Sequence, residues 1–376
     1  AAQCNPLNKT LIEPIAKRQP VTTKHHGISI TDDYAWLKAH NWQAALGNPE
    51  RLPDDIKDYL NAENAYFRAQ MTATIPLQKQ LYQELVGRIV EDDSSVPALD
   101  NDYAYFWRYQ KGKNYRILFR RPAKAFKDTS ALYSLEPSKH DEVILDRNLL
   151  AKGKSNFSLG AVKHTHDHLL LADSVDSDGA EHYKIFVRDL KTGKNLPDQL
   201  VDTDGNITWL VDGSGFLYIR LDKNSRARSV WRHQLGTSQD ADVPVFEAPE
   251  TTGFSTSVWI TRNRQFYGIG VGDYHTGEVY LIDVKKPHSD PQLITKHEPD
   301  LQYSISQHAD RLFIRTNADG ADDFKIMTAP LKSSQRKHWK DLVPHKPGRF
   351  IVSMGIFTNY LVRKERENGI ERLVIR

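Results

Sequence analysis

The sequence predicts a mainly β protein, a β-propeller preceded by a helical N-terminal segment, and three observations predict it. The first is a repeat: runs of β-branched and aromatic residues recur at 184–190 (KIFVRDL), 229–235 (SVWRHQL), 278–284 (EVYLIDV), 324–331 (FKIMTAPL) and 371–376 (ERLVIR). Anchored at Ile185, Val230, Val279, Ile326 and Leu373, the copies fall 45, 49, 47 and 47 residues apart. A period of about 40–50 residues built from short strands marks propeller blades, small sheets that bury their faces only by stacking on one another. The second is the spacing of turn dipeptides between the runs, at Asp178-Gly179, Thr192-Gly193, Asp204-Gly205, Asp212-Gly213, Thr276-Gly277, Asp319-Gly320 and Asn368-Gly369. The third is an aromatic content of 10%, which suits pleated, half-buried strands better than helices.

Along the chain, residues 1–30 form a polar lead punctuated by Pro6, Pro14 and Pro20, with little periodicity. From Asp32 to about Arg88 the pattern is helical: Ile56, Tyr59, Leu60 and Phe67 share helix-compatible spacing after Pro53, a residue suited to a helix start. Pro76 is expected to interrupt this pattern, which resumes over 77–89 with Leu81, Tyr82, Leu85, Val86 and Ile89 on one face. The acidic turn at 91–97 ends it. Residues 103–109 and 115–121 then read as a β-hairpin around Lys111-Gly112-Lys113-Asn114. The boundary is therefore placed near Asp93, with an N-terminal extension and helical segment over 1–92 and an incomplete propeller over 93–376. The segments 168–185 and 311–326 align with each other, six residues separating the Asp before Gly from a Lys in both, as equivalent hairpins of different blades do. Hairpins account for about six blades, with a longer gap between Ile117 and Ile185 that implies an insertion, and the last blade stops at its penultimate strand.

Bulk properties exclude several classes. Lys and Arg total 51 against 48 Asp and Glu, so no basic stripe for nucleic acid is expected. No apolar run of 18 residues or more exists to span a membrane, and none is expected as a partner. The single cysteine, Cys4, allows neither an internal disulfide nor a Cys-based zinc site, which favours a reducing, cytoplasmic location. The first residue is Ala rather than Met, pointing to removal of an N-terminal piece. A periplasmic location, if a signal sequence preceded Ala1, and lipid modification of Cys4 are the alternatives.

Four motifs invite chemical readings. His164-Thr165-His166-Asp167-His168 places imidazoles on alternate positions, but rings two apart on a strand diverge, so turn and strand-start histidines are favoured over a metal site. Residues 173–179 (DSVDSDG) echo a calcium loop, but Ser174 stands where an acid or amide is needed and strands rather than helices flank it, which favours a hairpin turn. Gly268-Ile269-Gly270-Val271-Gly272 would cradle phosphate only before a helix, and strand follows, so packing is favoured. Gly213-Ser214-Gly215 is not a nucleophile elbow, which needs Gly-x-Ser-x-Gly between strand and helix. No catalytic residue, metal or cofactor is assigned from the residues alone.

A resemblance adds to this. The runs 33–37 (DYAWL), 59–66 (YLNAENAY) and 88–97 (RIVEDDSSVP) resemble the N-terminal region of the prolyl oligopeptidase family of serine peptidases. Runs 105–109 (YFWRY), 144–148 (ILDRN), 231–237 (WRHQLGT), 313–317 (FIRTN) and 339–345 (WKDLVPH) narrow it to the oligopeptidase B, or protease II, branch. The resemblance implies a seven-bladed propeller covering an α/β-hydrolase domain that cleaves short basic peptides after Arg or Lys. It implies that the helical lead packs on that domain, in cis or in trans, and that the Ser/Asp/His triad lies downstream of the propeller, outside this chain. Arg88, Glu91, Asp92 and Asp93, where helical lead meets propeller, are the candidate hinge and gating residues. The alternative is a stand-alone propeller that binds partners without catalysis.

Overall fold

The computed structural model describes residues 12–249 and 253–376, so the processing and lipidation expectations at Ala1 and Cys4 lie outside the described residues. The chain divides into two compact units, residues 1–153 and 154–376. Secondary structure changes from helix to strand close to residue 93, whereas the first unit runs on through a complete four-stranded sheet.

The first unit opens on a hairpin that the sequence pattern did not show, β1 (Val21–His25) and β2 (Ile28–Asp32). Its two-residue loop, His26-Gly27, has φ of 50° and 84°, the double left-handed geometry whose twist matches the flanking strands. Both strands are exposed throughout, and the only alternation that marks them in the sequence is the short run Ile28-Ser29-Ile30-Thr31 in β2. Helices α1 (Trp42–Gly47), α2 (Asp54–Met71) and α3 (Ile75–Gly87) follow. Pro76 falls in the first turn of α3, where its missing N–H costs nothing; it starts this helix rather than breaking a longer one, and the interruption lies at residues 72–74. Strands β3 (Ala98–Asp100), β4 (Tyr103–Arg108), β5 (Ile117–Pro122) and β6 (Glu142–Asp146) form an antiparallel sheet in sequence order, with short helices α4 (Thr129–Leu132) and α5 (Arg147–Ala151) beside it. Phe106 and Phe119 stack 5.4 Å apart in its core. The insertion implied by the long gap is now located: residues 123–141 separate β5 from β6. Fully buried Arg121 holds it, donating to Asp141 at 2.7 and 3.1 Å and to the carbonyls of Ala131, Leu132, Ser134 and Glu136. A guanidinium satisfied on every side can be buried; an unpaired one could not.

The second unit begins with a seven-stranded sheet, β7 (Ser158–His164), β8 (Leu170–Asp176), β9 (Tyr183–Asp189), β10 (Asn195–Trp209), β11 (Gly215–Leu221), β12 (Ala227–Gln234) and β13 (Val243–Glu247). It is two blades sharing one strand: β10 pairs with β9 over 195–203 and with β11 over 203–209. The strand changes partner at a bulge where Asp202 and Gly205 take φ of 53° and 86°. A Cβ on Gly205 would lie 2.8 Å from the Tyr183 ring, so both conformation and space demand glycine. Two four-stranded blades follow, β14 (Ser255–Ile260) to β17 (Gln292–Leu293) and β18 (Tyr303–His308) to β21 (Lys340–Val343), with β15 (Phe266–Gly272), β16 (Gly277–Asp283), β19 (Arg311–Thr316) and β20 (Lys325–Pro330) between. A three-stranded sheet, β22 (Arg349–Ile356), β23 (Leu361–Glu367) and β24 (Ile370–Ile375), is last.

The repeat anchors occupy one structural position. Ile117, Ile185, Val230, Val279, Ile326 and Leu373 all lie on the third strand of a blade, and the aligned segments 168–185 and 311–326 are second-to-third-strand hairpins. Consecutive blades pack face to face through apolar clusters. Ile219 and Val230 meet Val258, Tyr267 and Ile269; Val279 and Leu281 meet Leu312, Ile314 and Trp339; Ile326 and Val343 meet Ile351, Ile356 and Leu361. Each such side chain, fully buried, contributes about 1.5–3 kcal/mol.

Candidate functional site

The helical segment presents an uncovered apolar surface. Leu77, Leu81 and Leu85 stand one above another on α3 at intervals of four, yet Leu81 is 47% and Leu85 59% exposed, with Tyr82 and Ile89 exposed alongside. On α2, Ile56 is buried and Tyr59 packs edge-on to Trp36, 6.0 Å between centroids, while Leu60 and Phe67 are exposed. An amphipathic helix left in water on its apolar side has the form of a surface that another body covers.

The turn after α3 carries the four candidate hinge residues. The Arg88 N–H closes the helix on the Leu85 carbonyl at 3.2 Å. Glu91 Oε2 accepts the Gly112 N–H at 3.1 Å, and the Asp93 carbonyl accepts the Tyr109 N–H at 2.7 Å, so both acids tie the turn to the loop between β4 and β5. The Asp93 carboxylate accepts the Ser94 N–H at 2.8 Å. Arg88 and Asp92 are exposed, and among the described residues no ion pair joins Arg88 to Glu91, Asp92 or Asp93.

The four motifs resolve into turns and packing. The His164 and His168 rings lie 5.0 Å apart and tilted by 30°, His164 Nδ1 lies 2.9 Å from the Thr165 carbonyl, and His166 meets the Arg264 guanidinium, so the three rings do not converge. Asp176 accepts the N–H groups of Asp178, Gly179 and Glu181 at 2.8–3.0 Å; burial raises its pKa, and these bonds outweigh burial and leave it lowered. That is a hairpin turn built on a carboxylate. Gly268 and Gly270 lie on β15 under the Trp259 indole, which occupies the space a Cβ would need. Ser214 sits in the β10–β11 turn with its hydroxyl on Asp212 at 2.7 Å.

Two constellations escaped the sequence reading. Ser225 Oγ lies 2.8 Å from His182 Nε2, and His182 Nδ1 lies 3.4 Å from Asp202, an order of groups found in serine nucleophile relays. What a relay needs besides is a cradle for the oxyanion. Here the Ser225 N–H is spent on the Asp222 carbonyl at 2.9 Å and the Arg226 N–H on the Asp222 carboxylate at 3.0 Å, and Asp202 is mostly exposed. The trio ties three turns together and lacks the means to stabilise a tetrahedral intermediate. The second is buried His233, between Asp242 at 2.7 Å and Asp198 at 3.1 Å. In both cases the partners come from separate turns or strands, 9 to 43 residues apart, and no local spacing signals them.

Comparison with known proteins accords with this geometry. The family model for the prolyl oligopeptidase N-terminal β-propeller domain matches residues 13–376. Dipeptidyl aminopeptidase BI of Pseudoxanthomonas mexicana is 33% identical over 96% of this chain and 49% of its own length, and protease 2 of Moraxella lacunata is 30% identical over the same shares. The structure of oligopeptidase B from Leishmania major superposes with a TM-score of 0.85 at 28% identity, covering 97% of this chain and 51% of that one. This chain therefore spans about half the length of the relatives it matches. With blade-like sheets, a helical lead and a matched family model over nearly all its length, the chain belongs to the prolyl oligopeptidase family, in which it corresponds to the N-terminal propeller half.

Proposed function

We propose that this chain is the gating, substrate-selecting half of a serine oligopeptidase that hydrolyses short peptides after Arg or Lys. The observation that carries it is the family match across residues 13–376 by a chain half as long as its relatives. The exposed apolar face of α2 and α3 supports it, as the surface on which an α/β-hydrolase domain, in cis or in trans, would dock. The nucleophile, its base and the oxyanion donors then come from that domain. Propeller blades act on the reaction sterically, excluding chains too bulky to pass. The turn carrying Arg88, Glu91, Asp92 and Asp93 is the hinge through which blades and helices adjust to each other.

The test is a substrate panel for the complete protein: fluorogenic peptides with Arg, Lys, Pro or Ala before the scissile bond, with blocked and free N-termini. Expected is at least a tenfold preference in kcat/KM for Arg and Lys, indifferent to N-terminal blocking and abolished by a serine-directed inhibitor. Preference for Pro, or release of dipeptides only from free N-termini, would overturn the assigned selectivity.

A further inference from the structure

In the second unit, the first-to-second-strand turns of three successive blades close on one cleft. They are the β14–β15 turn with Arg262 and Asn263, the end of β18 with Gln307 and His308, and the β22–β23 turn with Phe357 and Tyr360; the cleft has a volume of about 480 Å³. Its floor is fixed. Gln307 is 4% exposed, accepts the Asn263 side-chain N–H at 2.6 Å, and donates to Gln265 at 3.1 Å and to the Ala309 carbonyl at 2.5 Å. Asn263 is held in turn by the buried Thr261 hydroxyl at 2.9 Å. The Gln307 amide is engaged with protein at both its oxygen and its nitrogen, so it positions its surroundings and has little to offer a ligand.

The wall differs. The Arg262 guanidinium lies over the Phe357 ring, 4.1 Å from its centroid. Among the described residues, no carboxylate pairs with Arg262 and no carbonyl accepts from it. Stacking engages only the π face of a guanidinium and leaves its in-plane N–H donors free. A long, flexible cation is thereby held flat with its donor fork unspent, and such a fork matches a carboxylate in two parallel hydrogen bonds. Exposed Phe357 and Tyr360 continue the wall as apolar surface beside it.

We propose that this cleft binds the C-terminal carboxylate of a short peptide, with Arg262 as the clamp, Phe357 as its support and the last side chains of the peptide against Phe357 and Tyr360. One fork with a neighbouring imidazole, His308, suits a monoanion; a phosphate dianion calls for more cations than line this cleft. This deepens the proposed peptidase function by adding a site that reads the end of a peptide, and it rests on the chain being the peptide-admitting half.

The test is direct binding to the 376-residue chain by calorimetry, using a five-residue peptide with a free C-terminus, its C-terminal amide, and inorganic phosphate. The free acid is expected to bind at least tenfold more tightly than the amide. Arg262→Ala should remove that difference, Arg262→Lys should keep a minor part of it because charge remains while the fork is lost, and Phe357→Leu should weaken the free acid several-fold. Unchanged thermal melting shows that each variant is folded. Equal binding of acid and amide, indifference to Arg262→Ala, or displacement of peptide by phosphate at equal concentration would overturn the site. If the complete protein cleaves peptides while this cleft binds none, only the cleft is refuted; binding without cleavage refutes the peptidase assignment instead.

Discussion

His233 shows how far a single residue can depend on its surroundings. Its ring lies in the core of the shared seven-stranded sheet, with both nitrogens on carboxylates, so both donate only when the imidazole is protonated. Asp242 also accepts the Tyr218 hydroxyl at 2.8 Å, and Asp198 the Gly236 N–H at 2.6 Å. Burial pulls the His233 pKa down, but the bonds and charges of Asp242 and Asp198 outweigh it and hold the value above the usual 6.5. A folded pKa above the unfolded one means that its stabilisation is complete below pH 6.5 and is lost as pH rises through the folded value. His233→Gln should therefore cost about 3–5 kcal/mol at pH 6, because two buried carboxylates lose their cation, and the gap to wild type should narrow towards pH 9. Urea midpoints measured across that range check it; a gap independent of pH would show that packing alone is lost. None of this was legible in the sequence. The acids that raise the His233 pKa lie 9 and 35 residues away from it, beyond any local pattern.

Helices and strands differ in how openly they declare themselves. Helices α2 and α3 and their apolar faces were readable, because spacing of three and four is local; that the face of α3 stays exposed in this chain was not, because exposure depends on what packs against it. Leu81→Ser and Leu85→Ser should thus change the stability of this chain by less than about 0.5 kcal/mol, as surface substitutions do. In the complete protein the same pair should lower Tm by several degrees and reduce activity, if the hydrolase domain covers this face. Equal effects in both settings would show that the face is ordinary surface. The turn that follows makes its own prediction. Replacing Glu91, Asp92 and Asp93 by their amides should alter kcat and its ionic-strength dependence in the complete protein if the hinge reading holds, since a surface ion pair made in only one state biases an equilibrium by about 0–1 kcal/mol. Kinetics unchanged from low to high salt would reduce the segment to the strap seen here, Glu91 on Gly112 and Asp93 on Tyr109. Hairpin β1–β2 went unread for another reason: every residue is exposed, β1 carries no alternation, and the alternation in β2 spans only Ile28 to Thr31.

For the whole molecule, stacking of blades has two consequences. If the proposed function holds, blades that cover a peptidase domain select substrates by bulk, and the complete protein should cleave basic peptides of modest length and spare a native protein rich in surface Lys and Arg. Gel analysis of a folded protein beside its unfolded form checks this, and equal digestion of both would sink the gating role. The second consequence lies at β24, whose outer edge pairs with no described strand and whose Ile370, Leu373 and Ile375 are about two-thirds exposed or more. Unpaired apolar edges template association. The 376-residue chain should accordingly associate with rising concentration in sedimentation velocity, and a charge at Leu373 (Leu373→Lys) should suppress it; a monomer at all concentrations would show the edge to be harmless.

The sequence by itself determined the blade repeat, the helical lead and the family, because each rests on a pattern local to one hairpin or one helix and copied along the chain. Equivalent positions fell on equivalent third strands for that reason. Tertiary structure decided what those positions became. Ile185, Val230, Val279 and Ile326 are buried against packed neighbours, while Leu373, the same position in the last sheet, is 70% exposed. It likewise decided that His233 is held above its usual pKa, that Ser225 meets His182 without an oxyanion cradle, and that Arg262 is stacked on Phe357 with no carboxylate beside it among the described residues. Burial, pairing and charge belong to groups brought together from distant turns, and a pattern read along one strand carries no record of the strand packed against it.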